Sequence, residues 1–270
     1  MLKNRLRSTD GQRIRRPGLK ADSEIAQMGE AGQIVASALA AVRRHACVGV
    51  SLEELDGVAE TVIRARGGEP LFKNYRPRWS PTPFQGTICT SVNDVVVHGI
   101  PDGQLLADGD LVSIDCGARM DGWCGDAAIS FVVGAVDPAD QELIEATERA
   151  LTAGIEAART GNTMGDIANA IGRSARANGY GLLADHGGHG IGRQMHESPS
   201  VPNEGRAGTG TPLRAGLVIA LEPMLIAGGG DGYIVDDDGW TIRTADGSRA
   251  AHVEHTIAIT TAGPRVLTLL

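Results

Sequence analysis

Asp110-Leu-Val-Ser-Ile-Asp115-Cys-Gly-Ala-Arg-Met-Asp121-Gly122-Trp-Cys-Gly-Asp126-Ala-Ala-Ile-Ser-Phe131 holds two strand-forming runs around Asp121-Gly122, the dipeptide favoured for a two-residue type I′ turn. With that pair as the turn, Met120 faces Trp123, and Asp115 and Asp126 become diagonal neighbours on one face of a hairpin. Alternation sends Val112, Ile114, Ile129 and Phe131 to the other face, towards covering helices. Two acids placed together on a strand pair need a positive partner, because an unpaired buried carboxylate is costly.

Three more residues extend that requirement. Leu217 to Met224 and His252 to Ile259 read as strands, each interrupted on an apolar background by one acid, Glu222 and Glu254. His189 stands in the glycine-rich run Gly187-Gly-His-Gly-Ile-Gly192. Asp115, Asp126, His189, Glu222 and Glu254 make a set of four carboxylates and one imidazole, suited to two hard or borderline divalent cations. The alternative for either glutamate is an arginine partner. His252 falls on the same strand face as Glu254 and is left without a role.

Helices lead each half of the chain. Residues 23–45 carry Ile25, Met28, Ile34, Val35, Leu39 and Val42 at near-helical spacing, and a second helix opens at Ser51 with Glu54 at the capping-box position and ends near Gly67-Gly68. A second pair covers 139–158 and 163–178, the latter opening on Thr163 with Asp166 three residues on. Ser51 aligns with Thr163, Glu54 with Asp166, Leu55 with Ile167 and Gly67 with Gly179. The fold class predicted is α+β: a pseudo-twofold duplication, helices packed on an antiparallel sheet, with a cleft between halves at about 21–136 and 137–270.

Composition supports one sizeable hydrophobic core in 270 residues, 42% of them hydrophobic. Phe, Trp and Tyr number only three each against 37 glycines, so an aromatic beside the site carries more information than usual. Cys47, Cys89, Cys116 and Cys124 show no CxxC spacing, against a zinc ribbon or a disulfide framework. Cys116 points to the core, and Cys124, on the face of Asp126, is a candidate oxidant-sensitive thiol. No apolar run reads as a membrane span and no secretory signal is visible, so the expectation is a cytoplasmic protein. Net charge is −8, yet residues 1–20 hold seven Lys or Arg against Asp10. That basic arm reads as a flexible terminus, and its charge also suits contact with ribosomal RNA.

Ser91-Val-Asn-Asp-Val-Val-Val-His98-Gly-Ile-Pro101, Gly188-His-Gly-Ile-Gly192, Glu222-Pro-Met224 and Glu254-His-Thr256 together resemble the motifs of type I methionine aminopeptidases, in the same order and at nearly the same separations, from about residue 23 to the C-terminus. The resemblance implies the pita-bread fold, a monomer, and removal of the initiator methionine from nascent polypeptides whose second residue is small. It implies one metal on Asp126, His189, Glu222 and Glu254 and a second on Asp115, Asp126 and Glu254, the ions being Mn, Fe, Co or Zn. It makes Glu222 a proton shuttle as well as a ligand, and His98 and His196 the substrate-contacting histidines. The methionine pocket falls on Phe84, Cys89, Met195 and Trp240, with His98 at its mouth. Pro81 and Met195 stand where aromatics are common in that family, which leaves the pocket's selectivity open. His186 reads as structural. Two rival readings are an X-Pro dipeptidase or aminopeptidase P, which carry a separate N-terminal domain that a lead-in of about 20 residues cannot supply, and a binding protein of the same fold that has lost its ligands. Neither membrane nor DNA binding is expected.

Overall fold

The structure, a computed structural model, describes residues 18–78 and 80–270. The basic arm lies outside the described residues, apart from its last members. Of these, Lys20 is buried and its Nζ pairs with Glu197 at 2.8 Å, so this charge belongs to the folded body.

The first half runs α1 (Asp22–His45), α2 (Leu52–Ala65), β1 (Glu69–Pro70), β2 (Ile88–Val92), β3 (Val95–Val97), β4 (Leu111–Met120) and β5 (Trp123–Val132). The second opens with α3 (Pro138–Ala157), α4 (Met164–Ala177), β6 (Gly181–Leu182), β7 (Gly187–Gly190) and β8 (Glu197–Pro202). It closes with β9 (Val218–Leu221), β10 (Met224–Ile226), β11 (Tyr233–Val235), β12 (Ile242–Thr244), β13 (Ala250–His252), β14 (Glu254–Thr260) and β15 (Gly263–Val266). A nine-stranded sheet runs β1-β4-β5-β14-β9-β7-β8, with β2 beside β4 and β15 beside β14, and two three-stranded sheets flank it. All named pairings are antiparallel.

The hairpin has the predicted register. Met120 faces Trp123, Asp115 faces Ala128 and Asp126 faces Gly117. Asp121 and Gly122 both take positive φ, 49° and 77°, as a type I′ turn requires. Val112, Ile114 and Phe131 pack with Leu39 and Val42 of α1 and Leu55 and Ile63 of α2. Leu143 and Leu151 of α3 and Ile167 and Ile171 of α4 pack likewise on Ile219, Leu221, Ile257 and Ile259. Helix α1 approaches the sheet closely because Gly32 faces Gly125; a Cβ on Gly125 would stand 2.8 Å from the Gly32 nitrogen. The reading that no segment could span a membrane needs correction, since α1 meets the length and composition for one. Its apolar residues are spent on the sheet: Ile25, Met28, Val35, Leu39 and Val42 are all buried.

The duplication is written in the hydrogen bonds. Ser51 and Thr163 are both N-caps, each bonded through its main-chain N–H to the acid three residues on, Glu54 at 2.9 Å and Asp166 at 2.8 Å. Leu106 N donates to Val50 O at 2.9 Å, and Leu213 N to Asn162 O at 2.8 Å. Gly109 and Gly216, both left-handed, donate to Val133 O (2.7 Å) and Ile259 O (2.9 Å). These matches make β4 and β5 the counterparts of β9 and β14, and the pair Ala128 and Glu254, opposite each other, sits at the pseudo-twofold axis.

The acids of the second half occupy bends rather than continuous strands. Leu217–Met224, expected as one strand, divides into β9 and β10, and His252–Ile259 divides into β13 and β14, with Val253 between them. Pro223 explains the first break, since it has no N–H to continue a ladder. Val253 N donates to Pro223 O at 3.4 Å, which couples the two breaks. At these bends the chain leaves the large sheet for the small sheet β13-β10-β6, and Glu222 and Glu254 mark the crossing.

Candidate active site

Asp115 and Asp126 project from the β4–β5 hairpin, Glu254 from the first residue of β14, Glu222 from the bend after β9, and His189 from β7. All five line one cavity of about 310 Å³. Ligand atoms of Asp126, His189 and Glu254 lie within 4.8 Å of one another, and His189 Nε2 is 3.6 Å from Glu222 Oε1. The main chain beneath is pinned: Asp126 N donates to Thr256 Oγ1 at 3.0 Å, Thr256 Oγ1 donates to Asp126 O at 2.8 Å, and Asn203 Nδ2 donates to Glu222 O at 2.9 Å.

The charges in this cavity do not balance without a cation. Asp115 Oδ1, Asp126 Oδ1 and Glu254 Oε1 are buried with no hydrogen-bond partner. Burial, followed by the neighbouring acids, pushes Asp115, Asp126 and Glu254 well above the usual carboxylate range, and burial with Asp126 raises Glu222 to about 8. The arginine-partner alternative fails among the described residues, where Glu222 pairs only with imidazoles and none of the other three acids is in an ion pair. Facing like charges with orphaned oxygens fit divalent metal ions and little else. His189 Nδ1 shares a hydrogen with Gly190 O at 3.1 Å, which leaves Nε2 as the free lone pair that a ligand needs.

The substrate-side residues gather in the same cavity. Phe84, Cys89, Met195 and Trp240 are buried in one hydrophobic cluster, and with His98 and His196 they line the same cavity as the acids. Phe84 meets Trp240 edge-on at 5.2 Å between centroids, and Trp240 meets His98 at 6.3 Å. Trp240 Nε1 donates to Thr82 O at 3.1 Å, and Pro81 packs against Gly239 next to it. His98 sits just past β3 with φ of 60°, a left-handed backbone uncommon for a side chain with a Cβ. Its Nδ1 is buried without a partner, and burial first, then His186 and His196, lowers its pKa to about 4.

Three lining residues were not foreseen: Phe72, Tyr75 and Pro77. The scarcity of aromatics was the available signal, since four of the nine in the chain, Phe72, Tyr75, Phe84 and Trp240, face this one cavity. Tyr75 Oη lies 2.9 Å from His196 Nδ1. His186 has a structural setting, with Nδ1 2.7 Å from Ala184 O and its ring edge-on to Tyr233. Burial raises the Cys124 thiol, which disfavours the thiolate and with it the reactivity suggested for this residue. Cys116 is buried in the core under the helices. A second cavity of about 790 Å³ shares His98, His189, His196 and Glu222 with the first.

Comparison with known proteins agrees with this geometry. The model of metallopeptidase family M24 matches residues 26–261. Methionine aminopeptidase 1 of Mycobacterium tuberculosis is 51% identical over 257 residues, covering 93% of this chain and 94% of that one. The crystal structure of methionine aminopeptidase from Rickettsia prowazekii superposes with a TM-score of 0.90 at 37% identity, over 94% of this chain and all of that one. The prolidase of Pyrococcus furiosus shares the fold at a TM-score of 0.75 and 23% identity, but only 65% of its length is matched. The chain belongs to metallopeptidase family M24, the pita-bread metalloenzymes, and groups there with the methionine aminopeptidases.

Proposed function

We propose that this chain removes the initiator methionine from nascent polypeptides whose second residue is small, with residues 21–270 acting as a single catalytic domain. The observation that carries the reading is one cavity lined both by four acids with His189 and by Phe84, Cys89, Met195 and Trp240. An unbranched thioether suits the apolar residues of that cavity, and the second cavity, which shares His98 and His196 with it, gives the rest of the polypeptide a way out.

Asp126, His189, Glu222 and Glu254 would hold one divalent cation, and Asp115, Asp126 and Glu254 a second, so that four negative charges are neutralised. Mn, Fe, Co and Zn all suit these ligands. Bound there, such ions supply Lewis acidity, activating water and polarising the scissile carbonyl. The chain's own groups do the rest. Glu222 takes up the proton released in the attack and passes it to the departing amine. With the Tyr75 hydroxyl donating to Nδ1, His196 carries its hydrogen on Nε2 and presents it to the negative charge that develops on the carbonyl oxygen. His98, neutral at physiological pH, orients the scissile amide.

The protein acts in the cytoplasm as a monomer, and its basic arm touches the ribosome. Deleting residues 1–20 then weakens salt-sensitive ribosome binding; equal binding by both forms excludes that contact. The test of the activity is a Met-Ala-Ser peptide with protein reconstituted in Mn, Fe or Co. Release of free Met is expected. Intact peptide in all three would overturn the reading, and release of Xaa from an Xaa-Pro peptide would replace it with the prolidase one.

A further inference from the structure

Glu222 stands between two imidazoles. His189 Nε2 lies 3.6 Å from its Oε1, and His252 Nε2 lies 3.8 Å from its Oε2. The first contact belongs to the site described above; the second has no part in it. His252 is 2% exposed, yet its Nε2 has no hydrogen-bond partner.

The main chain that carries this ring is fixed by two serines. His252 N donates to Ser113 Oγ at 3.2 Å and to Ser130 Oγ at 3.1 Å, and Ser130 Oγ donates to His252 O at 2.7 Å. Those serines come from β4 and β5, the strands of Asp115 and Asp126. The pseudo-twofold axis says the same. Ala128 and Glu254 face each other at the axis, so the position two residues before each is Asp126 in one half and His252 in the other. The mate of an expected bridging ligand is therefore a second metal-binding side chain.

The spacing favours a cation over a direct contact. At 3.8 Å the His252 to Glu222 gap is too long for a hydrogen bond. Two ligand atoms each about 2.0–2.2 Å from one ion stand roughly 3–4 Å apart. Ligand atoms of Glu222, His252 and Glu254 also lie within 4.8 Å of one another, the same condition that Asp126, His189 and Glu254 meet.

We propose that Glu222, His252 and Glu254 form a third cation position, which shares both glutamates with the two ions of the proposed dinuclear site and is completed by an imidazole those two do not use. It rests on the reading of these acids as ion-holding groups. Two divalent ions already neutralise the four carboxylates, so a third enters without net attraction and binds more weakly, by roughly tenfold or more. An imidazole ligand makes Zn, Fe and Co the fitting occupants, and disfavours Mg and Ca. An ion held on Glu222 Oε2 would also block that oxygen from taking a proton, so filling this position stops turnover when metal is in excess.

The experiment titrates the full chain with Co(II), following heat of binding and, in parallel, the proton NMR of solvent-exchangeable imidazole N–H groups shifted by the paramagnetic ion. Three ions are expected, the last one weaker, and a second shifted N–H joins that of His189 as the last ion binds. His252→Gln should bind two ions and show one such resonance. Saturation at two ions in the natural sequence, an unchanged third ion in His252→Gln, or a single shifted N–H at excess Co(II) would each overturn the proposal. The resonance count in the natural sequence decides the matter even where the variant fails to fold. Protein that binds three ions but leaves Met-Ala-Ser intact even when loaded with only two ions per chain overturns the peptidase reading alone, and protein that cleaves the peptide while saturating at two overturns this one alone.

Discussion

Tyr75 Oη lies 2.9 Å from His196 Nδ1, and the two rings touch at a tilt of 36°, 5.4 Å between centroids. His196 also packs on His189 at 4.2 Å, so the hydroxyl anchors a ring that touches one of the residues of the acid cluster. Tyr75→Phe keeps the ring contact and removes the hydrogen bond. We expect kcat for Met-Ala-Ser to fall about tenfold, or about 1.4 kcal/mol of barrier, with KM changed much less. Steady-state kinetics on the two proteins decides it, and an equal rise in KM with kcat intact would make Tyr75 a binding residue only.

Asp126 lines the cavity with Asp115, Glu222 and Glu254, and its charge recurs among the causes that raise Glu222 and Glu254. Asp126→Asn therefore has two opposite effects. Without metal, the variant should be more stable at neutral pH, by about 1–3 kcal/mol, because a buried like charge is gone. With metal, the stabilisation that ion binding gives the natural sequence should be lost together with activity. Thermal melts with and without Co(II) measure both; a variant less stable than the parent in chelator contradicts the repulsion argument.

How far the sequence foretold this site depends on how local each signal is. The β4–β5 register was legible because it follows from one dipeptide, Asp121-Gly122, and simple alternation. Helix starts at Ser51 and Thr163 were legible for the same reason, as each cap and its acid lie three residues apart. Glu222 interrupts an apolar run as read, but it is half-buried and lies on a strand that Pro223 divides. Alternation could be counted through such a bend, though not the change of sheet that follows it. Tyr75 was missed because its partner is 121 positions away, in a loop whose path only tertiary packing decides. His252 was assigned the face of Glu254, while its approach to Glu222 depends on two bends meeting.

Met195 is buried in the pocket wall, in the hydrophobic cluster with Phe84 and Trp240. Met195→Ala opens space beside the thioether of the substrate. The expected result is a loss of about 10- to 100-fold in kcat/KM for an N-terminal Met, the usual worth of a few methylene contacts, and a gain for an N-terminal Phe relative to Met. Competition between Met-Ala-Ser and Phe-Ala-Ser gives that ratio directly. An unaltered ratio would mean that Met195 does not set the depth of the pocket.

The metal-free protein should become less stable as pH rises above neutrality. Burial, then neighbouring acids, lifts Asp115, Asp126 and Glu254 well above their usual range and Glu222 to about 8. A raised carboxyl keeps its proton in the folded protein where the unfolded chain has lost it, so its stabilisation is whole at low pH and disappears as pH climbs through the folded value. The buried histidines act in the other direction, with burial the main cause: His98 is lowered to about 4, and His189 and His252 to about 3. Their contribution is lost only as pH falls below the ordinary imidazole value of 6.5. Between 6.5 and about 8 the acids act alone, and each one that titrates costs about 1.4 kcal/mol per pH unit. In chelator, Tm should therefore fall steadily across that window, while protein saturated with Co(II) holds its Tm because the ions replace the protons. A flat Tm in chelator would mean that the four carboxylates ionise without penalty, and the case for cations in this cavity would lose its electrostatic basis.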